Sequence, residues 1–238
     1  MVKAVILAAG RSSRLYPVTL EIPKCLLEIE KGKTIIEYQI ETLRKCGIDD
    51  ITVVTGYLKE KIKEKLGDSV KYKDFEDYAK YNNMHTLYSI KDKLDDDVVI
   101  LFADVLLGKN LLEKCVKSDK DFCLLIHNKE ILTDTMRVII KDGGIVDIGS
   151  HVPVETADGN FIGIGKYSKE GIRKLIEEAG KMIDDSEHDN DYYTIPLINL
   201  SKENKIGFEF VGDDKWIEID FLKDYHRAKD EVYPLIKD

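Results

Sequence analysis

Residues Ala4–Gly10 read AVILAAG, an apolar run that stops at a glycine. Arg11 and Arg14 follow at once, and a Pro23-Lys24 pair comes later in the same stretch, RSSRLYPVTLEIPK. A continuous apolar run predicts a strand over Lys3–Ala8 that is buried on both faces, which is the habit of parallel sheets covered by helices. A glycine at its end frees the backbone to turn, and the following amides and arginines can wrap a polyanion. The spacing matches neither a P-loop nor a GxGxxG fingerprint. A plain strand–turn junction with surface arginines is the competing reading of these residues.

The rest of the first half repeats the alternation. Ile35–Cys46 carries Ile36, Ile40 and Leu43 at helical spacing, and Gly47 follows as a C-terminal glycine. Ile51–Thr55 reads as a second buried strand, Leu58–Leu66 as an amphipathic helix, Val70–Tyr72 as a short strand and Val98–Ala103 as a further strand ending at Asp104. Strand, helix, strand predicts a mostly parallel sheet with helices on both faces, and ligands in such sheets bind beyond the carboxyl ends of the strands. Gly10–Arg14, Thr55–Tyr57 and Asp104 then share one rim.

The second half predicts antiparallel additions. Phe122–His127, Met136–Lys141, Ile145–Ile148 and Phe161–Tyr167 read as strands, with Asp142-Gly143-Gly144 as a hairpin turn. Helices are predicted over Ser168–Gly180, over Tyr192–Leu200 with Pro196 in the first turn, and over Asp224–Tyr233. Phe208–Val211 and Trp216–Ile219 are strand candidates. The expectation is one α/β domain over residues 1–238, with a nucleotide-binding half (1–120) and an acceptor half (121–238).

The formal charge of −9 over 238 residues leaves no general basic face, so nucleic-acid binding is not expected. The four cysteines form no CxxC pair, which argues against zinc. No apolar run is long enough for a membrane span, and no signal peptide is evident, so a cytoplasmic protein is expected.

Several residue types suit anion chemistry. Pro23 stiffens the approach to Lys24, whose ammonium could stabilise a transferring phosphoryl group, although a solvated lysine is the simpler reading. Asp104, at the end of a buried strand, and Asp220, at the end of WIEID, are candidate Mg²⁺ ligands. Each could instead cap a helix.

LAAGRSSRL followed by PKCLL resembles the signature of nucleoside-triphosphate transferases that make sugar nucleotides and CDP-alcohols. The segments IIEYQIETLRKCGIDDITVVTGYLKEKI, YNNMHTLYSI, LFADVLL and WIEIDFLKDYHRA resemble the branch with the bacterial LicC-type choline-phosphate cytidylyltransferases. Ser12 stands where that family usually has glycine. The resemblance implies a Rossmann-like three-layer α/β/α fold with a mixed, mostly parallel sheet (the nucleotide-diphospho-sugar transferase fold). It implies Mg²⁺-dependent transfer of CMP from CTP to a small phosphorylated alcohol or phosphonate, with pyrophosphate leaving. By the same resemblance Leu7, Ala8, Ala9, Gly10, Arg11, Ser12, Thr55, Gly56, Tyr57, Asn82, Asn83 and Thr86 bind nucleotide. Arg14 and Lys24 act on the reacting phosphates, and Asp104 and Asp220 hold Mg²⁺. Leu132–Val138 corresponds to the acceptor region, with Arg137 in place of an aromatic residue, and an organic cation on the acceptor would then fall to the aromatic faces of Tyr192, Tyr193 and Trp216 and to the Glu218 carboxylate, with packing as the alternative for Trp216. A homodimer is expected by analogy. Two alternatives are a sugar-1-phosphate uridylyl- or thymidylyltransferase and a non-catalytic nucleotide-sensing subunit.

Overall fold

A computed structural model describes residues 1–237. In chain order the first half comprises β1 (Lys3–Ala8), a small hairpin of β2 (Glu28–Glu30) and β3 (Lys33–Thr34), α1 (Ile35–Lys45), β4 (Ile51–Thr55), α2 (Lys59–Leu66), β5 (Lys71–Asp74), α3 (Asn83–Tyr88), β6 (Val98–Phe102), β7 (Val105–Leu107) and α4 (Lys109–Val116). The second half adds β8 (Phe122–His127), β9 (Met136–Lys141), β10 (Gly144–Gly149), β11 (Gly159–Tyr167), α5 (Lys169–Gly180), α6 (Ile195–Leu200), β12 (Gly207–Phe210), β13 (Trp216–Glu218), α7 (Leu222–Arg227) and α8 (Tyr233–Ile236).

A nine-stranded mixed sheet forms the middle layer. Strand β1 lies inside it, parallel to β4 on one side and to β6 on the other. The apolar run explains this position, because successive residues feed opposite cores. Val5 and Leu7 join the aromatic-rich cluster with Phe161 and Tyr193, while Ala4, Ile6 and Ala8 join the cluster beneath Ile36, Ile40 and Leu43 of α1. Thr34 starts α1 with a capping box, its side chain accepting from the Glu37 amide while Glu37 accepts from the Thr34 amide. Beyond β6 the sheet turns antiparallel through β11, which also pairs with β8 and β9. Asp142 and Gly143 both adopt positive φ in the predicted hairpin between β9 and β10.

Register places the site. Ala8 pairs with Thr55 and Leu7 with Phe102, so the chain after each of these strands emerges on the same rim. A second, two-stranded sheet then brings in the far end of the chain: β13 runs antiparallel to β7, with Glu218 opposite Val105. The Ile219 amide donates to the Asp104 carbonyl at 3.0 Å.

Some expectations shift. Asp104 precedes no helix; it occupies the tight turn between β6 and β7, which the unbroken apolar sequence VVILFADVLL disguises as one run. Asp220 is not a cap either, since Asp224 accepts from the Asp220 and Phe221 amides at the start of α7. The last helix begins at Leu222 and reaches Ile236 through a π turn at Ala228–Val232. The helix predicted from Tyr192 starts at Ile195, with Pro196 in its first turn. Helices α3 and α4 were not anticipated; α3 has six residues, too few to show a period. Among the described residues no helix is long and apolar enough to cross a membrane.

Gly163 in β11 has φ +79, and a Cβ there would sit 2.5 Å from the Phe102 ring. Gly163→Ala should therefore lower stability by about 2 kcal/mol in urea unfolding, from the left-handed backbone and the displaced ring. An unchanged midpoint would contradict this account.

Candidate active site

The rim carries a cleft of about 250 Å³. Leu7, Ala8, Ala9, Gly10, Ser12 and Arg14 line one side, and Asn82, Asn83, Thr86 and Tyr192 line another. Lys24, Asp104, Glu218 and Asp220 form its floor. A Cβ on Gly10 would meet nothing within 4 Å, so the loop backbone lies open to a ligand there. Ser12 adopts φ 53, ψ 46, a left-handed conformation that explains why glycine suits this position. Its carbonyl accepts from the Leu15 amide and the Thr19 hydroxyl, which hold the turn.

Lys24 is the hub of the floor. Its ammonium lies 2.6 Å from Asp104 Oδ2 and 3.1 Å from Asp220 Oδ1, and donates to the Ile219 carbonyl at 2.7 Å. Burial alone would lower its pKa, but the two carboxylates outweigh burial and raise it, so Lys24 stays charged. Arg14 Nη1 reaches Asp220 Oδ2 at 2.9 Å. Glu218 completes a group in which one carboxylate oxygen from each of Asp104, Glu218 and Asp220 lies within 4.8 Å of the others. Burial, then repulsion from Asp104 and Asp220, pushes the Glu218 carboxyl up to about 8. Asp104 Oδ1 is buried without a hydrogen-bond partner among the described residues. Cys25 also lines the cleft, but burial pushes its thiol up to about 12, which removes it as a nucleophile.

The remaining predicted nucleotide residues, Arg11, Thr55, Gly56 and Tyr57, are not in the cleft lining. Thr55 donates to Asp74, which Lys63 and Thr55 hold down to about 2. A Cβ on Gly56 would meet the Ala9 carbonyl at 2.8 Å, so glycine there lets β4 approach the loop. The Tyr57 amide donates to that same carbonyl, and its hydroxyl to Leu20. Arg11 stands 5.6 Å over the Tyr78 ring. Tyr78 and Tyr81 line the cleft and were not anticipated; the aromatic spacing of DYAKYNN was the available signal.

A second cavity of about 440 Å³ abuts the first and shares Glu218 and Asp220 with it. Trp216 lines it beside His127, ring centroids 5.4 Å apart, together with Glu130 and the 132–135 loop. Tyr192, in contrast, faces the first cleft. Tyr193 is core, packed edge-on against Phe102, Phe161 and Tyr167, so it offers no surface to an acceptor. Arg137 likewise differs from expectation. It is buried, and its guanidinium donates to the carbonyls of Leu132, Thr133, Ser150 and Val152, shaping the loop from behind. Asn160 laces the same loop, donating to His127 and Glu130 carbonyls and accepting from the Leu132 amide.

The chain as a whole has counterparts among known proteins. The Nucleotidyl transferase family profile matches residues 3–131. The chain is 30% identical to a CTP:phosphoglutamine cytidylyltransferase of Campylobacter jejuni, over 93% of this chain and 96% of that one. It is 31% identical to a choline-phosphate cytidylyltransferase of Streptococcus pneumoniae, over 96% and 97%. The solved structure of the CTP:phosphocholine cytidylyltransferase LicC from Streptococcus pneumoniae superposes with a TM-score of 0.81 at 30% identity, covering 96% of this chain and 97% of that one. The cleft at the strand ends, floored by a lysine between carboxylates, is thus set in a chain that belongs to the nucleotidyl transferase family and is a nucleotidyltransferase enzyme.

Proposed function

We propose that this enzyme transfers CMP from CTP to a small phosphorylated alcohol or phosphonate, with Mg²⁺ as cofactor. The observation that carries the reading is the pair of cavities meeting at Glu218 and Asp220, with Lys24 beside the meeting point. Two anionic substrates, one in each cavity, would meet at these residues. The likeness to cytidylyltransferases over nearly the whole chain supports CTP as the donor.

In this mechanism the loop from Leu7 to Arg14 receives the nucleotide, and its open backbone accepts the phosphates. An oxygen of the acceptor phosphate attacks the α-phosphorus. The bond from that phosphorus to the bridging oxygen breaks, and its electron pair leaves with pyrophosphate. Lys24 and Arg14 face the charge that gathers during this exchange, and the preformed cavities hold both reactants in place. Asp104, Glu218 and Asp220 would hold Mg²⁺: the donors are hard oxygens, and the bare Asp104 Oδ1 fits a cation ligand. Bound there, Mg²⁺ would offset the negative charge of the two substrates.

The second cavity favours an acceptor bearing an organic cation. Trp216, Glu130 and Asp134 line it, and among its cations Lys129 is paired with Asp213, Arg227 with Glu231, and Lys223 lies over the Phe221 ring, with Lys215 also in the lining. Pyrophosphate release from CTP, measured with phosphocholine, 2-aminoethylphosphonate and inositol 1-phosphate, should be fastest with an amine-bearing acceptor. Release only with sugar 1-phosphates and UTP or dTTP would overturn the assignment.

Two substitutions sharpen it. Lys24→Ala should slow turnover by about 100-fold or more, the scale of losing a preorganised charge at a reacting phosphate; a loss below about tenfold would remove Lys24 from that role. Glu218→Gln relieves the crowding of carboxylates. At pH 8.5 the metal-free protein should gain roughly 1 kcal/mol, or about 2–4 °C in melting temperature, while turnover falls. A lowered melting temperature would mean that Glu218 is held by favourable contacts instead.

A further inference from the structure

We propose that Gln39, on α1 and outside both cavities, is a positioning residue for Asp104. Gln39 is fully buried. Its Nε2 donates to the Phe102 carbonyl at 2.8 Å and to the Val105 carbonyl at 2.7 Å. Those carbonyls flank Ala103-Asp104, so one side-chain amide spans the turn that carries the carboxylate. Both protons of the amide nitrogen are used, and the reverse orientation would set oxygen against two oxygens.

The opposite end of the amide gives a second observation. Gln39 Oε1 is buried with no hydrogen-bond partner among the described residues. An unpaired buried carbonyl is costly, and an apolar side chain of the same size would avoid it beside Ile36, Ile40 and Leu43. The helix therefore carries a polar group at a position where packing alone favours an apolar one. What the amide achieves is the shape of the turn. Behind Asp104 the Ala103 amide donates to the Leu7 carbonyl, and the Asp104 carbonyl accepts from Ile219. Gln39 closes the remaining side. With the backbone held on three sides, Asp104 directs Oδ2 to Lys24 and leaves Oδ1 bare. Gln39 reaches the chemistry only through that turn.

The inference rests on the reading of Asp104 as a metal ligand, and the test separates the two. Mn²⁺ binding to the intact chain, followed by electron paramagnetic resonance, is compared in wild type, Asp104→Asn, Gln39→Met and Tyr38→Phe. Tyr38 is the neighbouring buried residue, and its hydroxyl meets the Leu107 and Ile236 carbonyls rather than the turn. Gln39→Met should weaken Mn²⁺ binding about tenfold, as loss of a group that orients a ligand does. Tyr38→Phe should lower the melting temperature and leave Mn²⁺ binding unchanged. Wild-type affinity in Gln39→Met, with affinity lost in Asp104→Asn, overturns the inference and keeps the metal reading. If wild type itself binds no Mn²⁺, the metal reading fails, and turnover with the best acceptor decides on Gln39. A lower kcat at unchanged KM for CTP, with no further loss in the Asp104→Asn background, upholds the positioning role. An undiminished kcat, or additive losses, overturns it.

Discussion

Lys24 sits between Asp104 and Asp220, and the site depends on that contact. It joins residues 196 positions apart in the chain, Lys24 and Asp220, and ties the loop after β1 to the strand that closes the second sheet. Removing the lysine would leave carboxylates crowded in a half-buried pocket, a change that costs about 3–5 kcal/mol in comparable buried pairs. The cluster is a poor way to stabilise a fold, because apolar residues could fill the same space at less desolvation cost. Charge held in place in this way is suited to handling anions. Handling anions calls for charge fixed in advance, and the sheet register supplies the frame that fixes it.

The frame follows from β1. A strand buried on both faces must lie inside the sheet, and parallel neighbours then deliver their ends to one rim. The two-stranded β7–β13 sheet adds what the large sheet lacks, a route for late residues into an early site. Glu218 and Asp220 arrive on it already facing Asp104. Because both also border the second cavity, the boundary between the two cavities is itself made of charged groups.

Much of this is readable in the amino-acid order, and the unread parts have physical reasons. The bounds of β1, α1 and β4 follow from apolar runs, helical spacing and a C-terminal glycine, all local signals. The cleft residues Gly10, Lys24, Asp104 and Asp220 follow from strand ends and from the resemblance of LAAGRSSRL and PKCLL to a transferase signature. Tyr193 and Arg137 do not. Both are residue types that often bind ligands, and only tertiary packing turns one ring into the core and one guanidinium onto carbonyls. Gln39 was equally hidden, since a lone polar residue in an amphipathic helix carries no mark of the turn it meets. Glu218 was recognised as a site residue, but its place among the carboxylates depends on the pairing of β13 with β7.

The lacing of the 132–135 loop has a consequence for how such enzymes diversify. Arg137 and Asn160 grip the loop largely through main-chain atoms. Its path is therefore encoded away from the side chains that face the second cavity, such as Thr133 and Asp134. Those side chains are free to vary without moving the loop they stand on. The lining of that cavity can thus change by single substitutions while the Lys24 and carboxylate cluster, built on other strands, stays as it is.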